Sequence, residues 1–168
     1  VVFQYSYSHD NSHGLFWQYP NTDGPNSGVI CRYNISQNDK GIIFAFSGDS
    51  GASATSYIYN NTIYIPNTGV SQLIFDHRSA THTYYVYNNI FHILNTGATY
   101  DFGSDTKTFD YNVFYGVHPS SEPSDANKLT GNIGNNEIDG LNGNDTLEGG
   151  DANDTLDGGD GDDKLSGG

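Results

Sequence analysis

Residues 131–166 read GNIGNNEID GLNGNDTLE GGDANDTLD GGDGDDKLS, which is one nine-residue unit repeated four times in phase. Glycine opens each unit, and Gly167-Gly168 opens the next one. The eighth position is apolar in every unit, where the residues are Ile138, Leu147, Leu156 and Leu165. A fixed period indicates a repeat architecture, in which each unit buries its apolar residue only by stacking on its neighbours. Leu129 keeps the same phase, so the repeat is expected to begin near Glu122 with a degenerate unit.

The repeat also holds most of the negative charge of the chain. The chain has 168 residues, of which 20 are acidic and 6 are basic, so its net charge is −14. Ten acidic residues and one lysine fall within residues 131–168, which gives this segment a net charge of −9. A segment of this charge binds cations or stays unfolded. The charge argues against a nucleic-acid partner, because no basic stripe is present to neutralise phosphates. No run of 18 apolar residues predicts a transmembrane segment.

The nine-residue unit resembles the RTX repeat, which forms a calcium-binding parallel β-roll. The resemblance covers residues 131–168 and implies Ca²⁺ as the cofactor, since carboxylate and carbonyl oxygens are the hard ligands that this ion prefers. Successive units should alternate between two sides of the roll, so that each turn stacks on the turn two units later. One ion is then expected between Asp145 and Asp163, and a more weakly held one between Asn136 and Asp154. The resemblance adds backbone carbonyls at the second and fourth positions, namely Leu141, Gly143, Gly150, Ala152, Gly159 and Gly161.

A second, longer repeat occupies the first 118 residues. Its segments align on Ser6, Asn34, Asn61, Asn89 and Asn112, whose successive spacings along the chain are 28, 27, 28 and 23. Short stretches rich in aromatic and β-branched residues lie between these positions, and none shows a helical period. A repeat of this length made only of short strands predicts one coil of a parallel β-solenoid. We expect the asparagines to form one column, with each amide donating to one neighbour and accepting from the other.

Two kinds of corner are expected in each coil. Asparagine tolerates a left-handed backbone, so the aligned asparagines are predicted to take that conformation at a tight corner. A second sequence similarity between coils aligns residues 8–11 with residues 36–39, and Gly14 with Gly41. Both glycines are predicted to have a positive φ. Each glycine should then lead into a buried strand.

The segments IYNNTIYI at 58–65 and VYNNIFHI at 86–93 resemble the repeats of right-handed parallel β-helix proteins of the pectate-lyase-like kind. This resemblance implies an all-β fold, in which a right-handed parallel β-helix continues into the RTX β-roll. The expected division is a β-helix at 1–118 that is incomplete at its N-terminus, a junction at 119–130 and the roll at 131–168. The same order of parts is similar to that of secreted polysaccharide lyases and mannuronan C5-epimerases.

These resemblances imply a secreted, extracellular bacterial protein that acts on an acidic polysaccharide or another glycan and is exported by the type I secretion machinery. Two classes stay open: a polysaccharide lyase or C5-epimerase, and a non-enzymatic adhesin or structural solenoid. The catalytic tyrosine with an Asp-Pro-His signature that marks the epimerases does not occur in the chain.

Proton abstraction beside a uronate carboxylate needs a base, a cation and an acid. The first candidate cluster is Asp76-His77-Arg78, followed by His82, and Arg78 could bind a carboxylate through two parallel hydrogen bonds. The second candidate is His9-Asp10. Each cluster has a plain alternative as a polar outer turn of a coil. A further set of aromatic residues could stack on sugar rings, although about half should lie in the core: Phe16, Trp17, Tyr19, Tyr57, Tyr59 and Tyr64.

Overall fold

The structure, a computed structural model, describes residues 1–18, 28–46, 54–77, 82–117, 119–123 and 128–168. The regular elements of these residues are 19 β-strands and no helix. The described part accordingly offers no helix with the length and apolarity that a bilayer crossing requires. The chain divides into two compact units, of which the first is residues 1–108 with 113–122 and the second is residues 109–112 with 123–168.

Three parallel sheets build the first unit. The first sheet contains β1 (Val2–Gln4), β4 (Ile30–Arg32), β7 (Ala54–Tyr59), β10 (His82–Tyr87) and β13 (Thr106–Asp110). The second contains β2 (Tyr7–His9), β5 (Ile35–Gln37), β8 (Thr62–Ile65), β11 (Ile90–Ile93) and β14 (Val113–Gly116). The third contains β3 (Phe16–Gln18), β6 (Phe44–Phe46), β9 (Gln72–His77) and β12 (Ala98–Asp101). Each strand pairs with its equivalent one coil later, which confirms the predicted parallel β-solenoid. Its right-handed winding stays a prediction.

A buried column of asparagines joins the first and second sheets. The Nδ2 of Asn34 donates to Oδ1 of Asn61 at 2.9 Å, and the Nδ2 of Asn61 donates to Oδ1 of Asn89 at 2.9 Å. The backbone N–H groups of Asn34 and Asn61 donate to the same two oxygens. At the start of the column, the N–H of Ser6 donates to Oδ1 of Asn34 at 3.0 Å. Asn112 precedes β14 as Asn89 precedes β11, and these strands pair in register. The predicted column is confirmed.

The left-handed residue at this corner is the one before each asparagine. Its φ lies between 54° and 57° at all five positions, which are Tyr5, Tyr33, Asn60, Asn88 and Tyr111. The prediction that the aligned asparagines themselves adopt this conformation is therefore wrong. Their side chains satisfy buried backbone groups of neighbouring coils instead, and this role is what requires an amide.

The second corner also departs from its prediction by one residue. Its left-handed residues are Asp10 and Asn38, each with a φ of 54°. Gly41 has a positive φ of 81°, as expected, but Gly14 is aligned with Ile42 and not with Gly41. A Cβ on Gly14 would lie 1.3 Å from the carbonyl oxygen of Ile42, so the close approach of two coils requires glycine there.

Aromatic rings from successive coils fill the interior of the first unit. Phe44 stacks on Phe75 with ring centroids 4.9 Å apart, and Phe75 contacts Phe102 at 4.8 Å. Cys31, the one cysteine of the chain, is fully buried between Phe3 of β1 and Ile58 of β7. Burial raises the pKa of this thiol to about 12, because the apolar interior disfavours the thiolate. The thiol is thus protected from reagents as long as the coil stays closed.

Two parallel sheets form a roll in the second unit. One contains β15 (Lys128–Thr130), β17 (Thr146–Glu148) and β19 (Lys164–Ser166), and the other contains β16 (Glu137–Asp139) and β18 (Thr155–Asp157). Consecutive units therefore alternate between the sheets, and equivalent residues two units apart pair in register. Leu129 pairs with Leu147, which confirms that it keeps the phase of the repeat, while residues 124–127 of the predicted degenerate unit lie outside the described residues. Leu147 is fully buried, but Leu165 is 47% exposed, so the predicted core is wrong at Leu165.

The asparagine column gives a first testable prediction. Asn61→Ala should lower the free energy of unfolding by about 3 kcal/mol, since each buried polar group left without a partner costs about 1–3 kcal/mol. Urea unfolding followed by Trp17 fluorescence, together with labelling of the Cys31 thiol, measures this loss. Thr55→Ala, an exposed change in β7, is the matched control and should shift stability by no more than about 0.5 kcal/mol. Equal effects of the two changes would contradict a structural role for the column.

Candidate metal centre

The turns between the strands of the roll have a left-handed backbone at alternate positions. Positive φ values between 70° and 145° occur at Leu141, Gly143, Gly150, Ala152, Gly159 and Gly161. These are the six residues whose carbonyls are predicted to bind Ca²⁺. Glycine adopts such a backbone without strain, whereas Leu141 and Ala152 hold it against their own side chains.

Carbonyl oxygens of one turn point at the turn two units later. A Cβ on Gly159 would lie 1.9 Å from the carbonyl oxygen of Leu141, and a Cβ on Gly161 would lie 1.7 Å from that of Gly143. Both glycines are therefore required twice, once for their backbone conformation and once for the close approach of the two turns. The stacked turns bring backbone oxygens together, which is one half of a hard-cation site.

Side-chain carboxylates from the sixth position supply the other half. The backbone N–H of Asp145 donates to Oδ1 of Asp163 at 2.9 Å, and the N–H of Asn136 donates to Oδ1 of Asp154 at 2.9 Å. These partners, two units apart, are the predicted ones. In each aspartate, Oδ2 faces the glycine that opens its own unit, and a Cβ on that glycine would approach the oxygen to within 2.3–2.6 Å. A side chain at the opening position would fill the space beside the carboxylate.

The charges and donors of these turns fit a bound cation. Asp145 is 1% exposed, and burial of a carboxylate is costly without a compensating charge or donor. The buried Oδ2 of Asp154 accepts no hydrogen bond from the described residues. Among the same residues, no group of three or more His, Cys, Asp or Glu side chains is arranged to hold a metal. A cation here would be held by two side chains and several carbonyls, a set that suits Ca²⁺.

Two further positions of the unit support the turns, and the sequence reasoning missed them. At the ninth position, Oδ1 of Asp139 accepts from the N–H of Leu141, and Oδ1 of Asp157 accepts from the N–H of Gly159, both at 3.1 Å. At the fifth position, the side-chain oxygen of Asn144 accepts the N–H of Asp162 at 3.0 Å. The recurrence of Asp or Glu at position nine and of Asn or Asp at position five was the available signal.

Of the first predicted catalytic cluster, the structure describes Asp76 and the backbone of His77, both in β9. Asp76 lies near the end of β9 and is only 7% exposed. The pKa of the neighbouring Tyr84 is raised, chiefly by burial and then by Asp105 and Asp76. His82 is also buried, and its backbone N–H donates to Oδ1 of Asp105 at 2.9 Å. The side chain of His77 and the whole of Arg78 lie outside the described residues, so their role stays a prediction.

The second predicted catalytic cluster lies at an exposed corner of the solenoid. Nδ1 of His9 and Oδ2 of Asp10 are 3.1 Å apart, and Nδ2 of Asn38 donates to Oδ1 of Asp10 from the next coil. These two contacts, with that of His9 the stronger, lower the pKa of Asp10. A carboxylate of lowered pKa is a weak general base, and Asp10 holds the left-handed corner position. The contacts of His9-Asp10 are those of a structural corner.

Tyrosines form stacked pairs on the outer face of the first sheet. Tyr57 stacks on Tyr85 with centroids 5.4 Å apart, and Tyr59 stacks on Tyr87 at 4.8 Å. Phe16 contacts the core ring of Phe46, and Tyr19 lies outside the described residues. The predicted aromatic set is thus divided between the core and the surface, as expected of alternating strands.

Comparison with known proteins identifies the roll. Residues 124–155 and 139–168 match the family model described as RTX calcium-binding nonapeptide repeat (4 copies). No curated protein and no solved structure matches the chain. The C-terminal segment therefore contains calcium-binding RTX repeats folded as a parallel β-roll, and Ca²⁺ is the metal that its turns bind. The likeness of the first 118 residues to pectate lyases or epimerases has no support from a homologue.

The strained turn at Ala152 provides a second prediction. Ala152 is exposed and has a φ of 81°, a conformation that costs an alanine about 1–2 kcal/mol. Ala152→Gly should relieve this strain and lower the calcium concentration at the folding midpoint about threefold or more. Calcium titration followed by circular dichroism measures the midpoint. Thr155→Gly, in the adjacent strand, should raise it instead, and an unchanged midpoint in Ala152→Gly would refute the strain.

Proposed function

We propose that the chain is part of a secreted bacterial adhesin or structural solenoid whose RTX roll folds on Ca²⁺ outside the cell. The observation that carries the proposal is the stacking of Asp145 and Asp163 within turns that are already shaped for a cation. Export by the type I machinery and an extracellular location are parts of the proposal, and the RTX repeats are consistent with both.

Calcium-dependent folding follows from the weak apolar core of the roll. Of its eighth-position residues only Leu147 is fully buried, while ten acidic residues and one lysine repel one another along residues 131–168. Ordering the backbone of so many residues costs more than this core contributes. Bound Ca²⁺ neutralises the carboxylates, so that its binding free energy becomes folding free energy. Extracellular calcium modules bind at roughly 10⁻⁴–10⁻³ M, which matches a segment unfolded in the cytosol and folded outside.

We prefer the non-enzymatic class because the contacts of the catalytic candidates that the structure describes are explained by the fold alone. Asp76 is only 7% exposed, and the contacts of Asp10 with His9 and Asn38 lower its pKa, so neither of these described carboxylates is suited to act as a general base. A lyase or epimerase acting on an acidic polysaccharide is the alternative, and it depends on Arg78 or on parts outside the described residues. A glycan ligand of the adhesin stays a prediction.

Removal of the paired carboxylates tests the calcium-dependent part of the proposal. The double change Asp145→Ala and Asp163→Ala should raise the calcium concentration at the folding midpoint about tenfold or more. The reason is that each of the two stacked turns loses the carboxylate that would bind the ion. Circular dichroism during calcium titration gives the midpoint. The matched control is Asp151→Ala with Asp160→Ala, which removes the same charge from exposed third positions and should leave the midpoint unchanged or lower. A roll that keeps its β-signal in excess chelator would contradict the proposal.

An assay on uronate polysaccharides separates the two classes. We expect no rise in ultraviolet absorbance, the sign of an unsaturated lyase product, and no change in the uronate ratio by NMR. A rise that Arg78→Ala abolishes, with an unchanged circular dichroism spectrum, would establish the enzymatic alternative. Trp17 fluorescence confirms in the same samples that the solenoid is folded.

A further inference from the structure

The first turn of the roll, residues 131–136, differs from the three that follow it. The second and fourth residues of the later turns have a left-handed backbone in every case. The equivalent residues of the first turn, Asn132 and Gly134, do not. Both residue types tolerate positive φ, so the difference does not arise from steric exclusion.

Hydrogen bonds from backbone N–H groups to side-chain oxygens of the same turn hold the first turn closed. The N–H of Asn132 donates to Oδ1 of Asn136 at 2.8 Å, and the N–H of Gly134 donates to Oδ1 of Asn132 at 2.8 Å. Oδ1 is the one side-chain oxygen that Asn136 has. It lies 2.3 Å from where a Cβ on Gly131 would be, in the place that Oδ2 takes in the aspartates. The oxygen that would face an ion is thus engaged by a backbone donor.

Two of the three later turns have an acceptor before them that the first turn lacks. Asp139 and Asp157 accept the N–H of the second turn residue, which holds Leu141 and Gly159 away from the sixth position. Thr130 occupies the equivalent place before the first turn and has no carboxylate. Its hydroxyl lies 3.5 Å from Oε2 of Glu148. The N–H of Asn132 therefore donates to Oδ1 of Asn136 instead.

We propose that residues 131–136 form a turn that closes without Ca²⁺, and that Asn136 is not a calcium ligand. Calcium could bind in this turn only if the hydrogen bond between Asn132 and Asn136 broke and Asn132 and Gly134 rotated to a left-handed backbone. The ion would gain only the neutral amide oxygen of Asn136 as a side-chain ligand. The stacked turns of Asp145 and Asp163 then form the one complete two-turn site of residues 131–168, while Asp154 faces a turn that is already satisfied. The first turn is then a part of the roll that binds no ion itself, and this inference rests on the calcium-dependent folding proposed above.

The test compares Asn136→Ala with Asp163→Ala in the full chain. Calcium titration by calorimetry should show an unchanged number of bound ions in Asn136→Ala and a midpoint within about twofold of the parent. Asp163→Ala should lose one ion. Hydrogen exchange in saturating calcium should find the amide of Asn132 protected in the parent and exposed in Asn136→Ala, since the N–H of Asn132 donates to Asn136. Loss of an ion in Asn136→Ala, or equal exchange of the Asn132 amide in the two proteins, would overturn the assignment.

A gain-of-site variant tests the cause. Thr130→Asp with Asn136→Asp restores an acceptor before the turn and a carboxylate within it, so this double variant should bind one ion more than the parent. Failure to gain the ion would overturn the roles given to Thr130 and Asn136. The response of Asp163→Ala distinguishes this failure from that of the proposed function, because a roll that does not depend on calcium would leave that variant unaffected as well.

Discussion

Each coil in both units makes its backbone hydrogen bonds to the coils directly before and after it, and the rest of the structure depends on this parallel stacking. In the solenoid, the N–H of Thr62 donates to the carbonyl of Asn34 at 2.9 Å, and in the roll the N–H of Lys164 donates to that of Asp145 at 2.8 Å. Stacking at the strand spacing of about 4.8 Å places equivalent side chains in columns. Each side chain in a column therefore lies next to equivalent side chains of the adjacent coils, and its residue type must be compatible with that contact.

The two units meet this demand with different side chains, and the difference bears on the binding of calcium by the roll. An asparagine amide both donates and accepts, so the column from Asn34 to Asn89 is satisfied by its own members. A carboxylate only accepts. In the roll the backbone of Asp145 satisfies one oxygen of Asp163, and the column still accumulates negative charge. A cation bound by the roll supplies the positive partner that an amide nitrogen supplies in the solenoid.

Periodicity in the sequence predicted the columns but not the details within a coil. The spacing of the asparagines and of the nine-residue units sufficed for the solenoid, the alternation of the roll and the pairing of Asp145 with Asp163. The left-handed residues at Tyr33 and its equivalents, and the place of Gly14, depend on which backbone groups of adjacent coils meet. The recurrence of acidic or amide side chains at the fifth and ninth positions was visible in the sequence, but the backbone N–H groups to which they bind depend on the geometry of the turn.

The alternation of the roll restricts how a gene can lengthen it. Because successive nine-residue units lie on opposite sheets, an insertion of one unit moves every later turn to the other side of the roll. An insertion of two units leaves each turn above its former partner, as Leu165 lies in register with Leu147. Duplication in even numbers of units therefore preserves the existing contacts, whereas an odd number re-pairs all of them. The smallest insertion that preserves the pairing is therefore two nine-residue units, although the sequence repeats every nine residues.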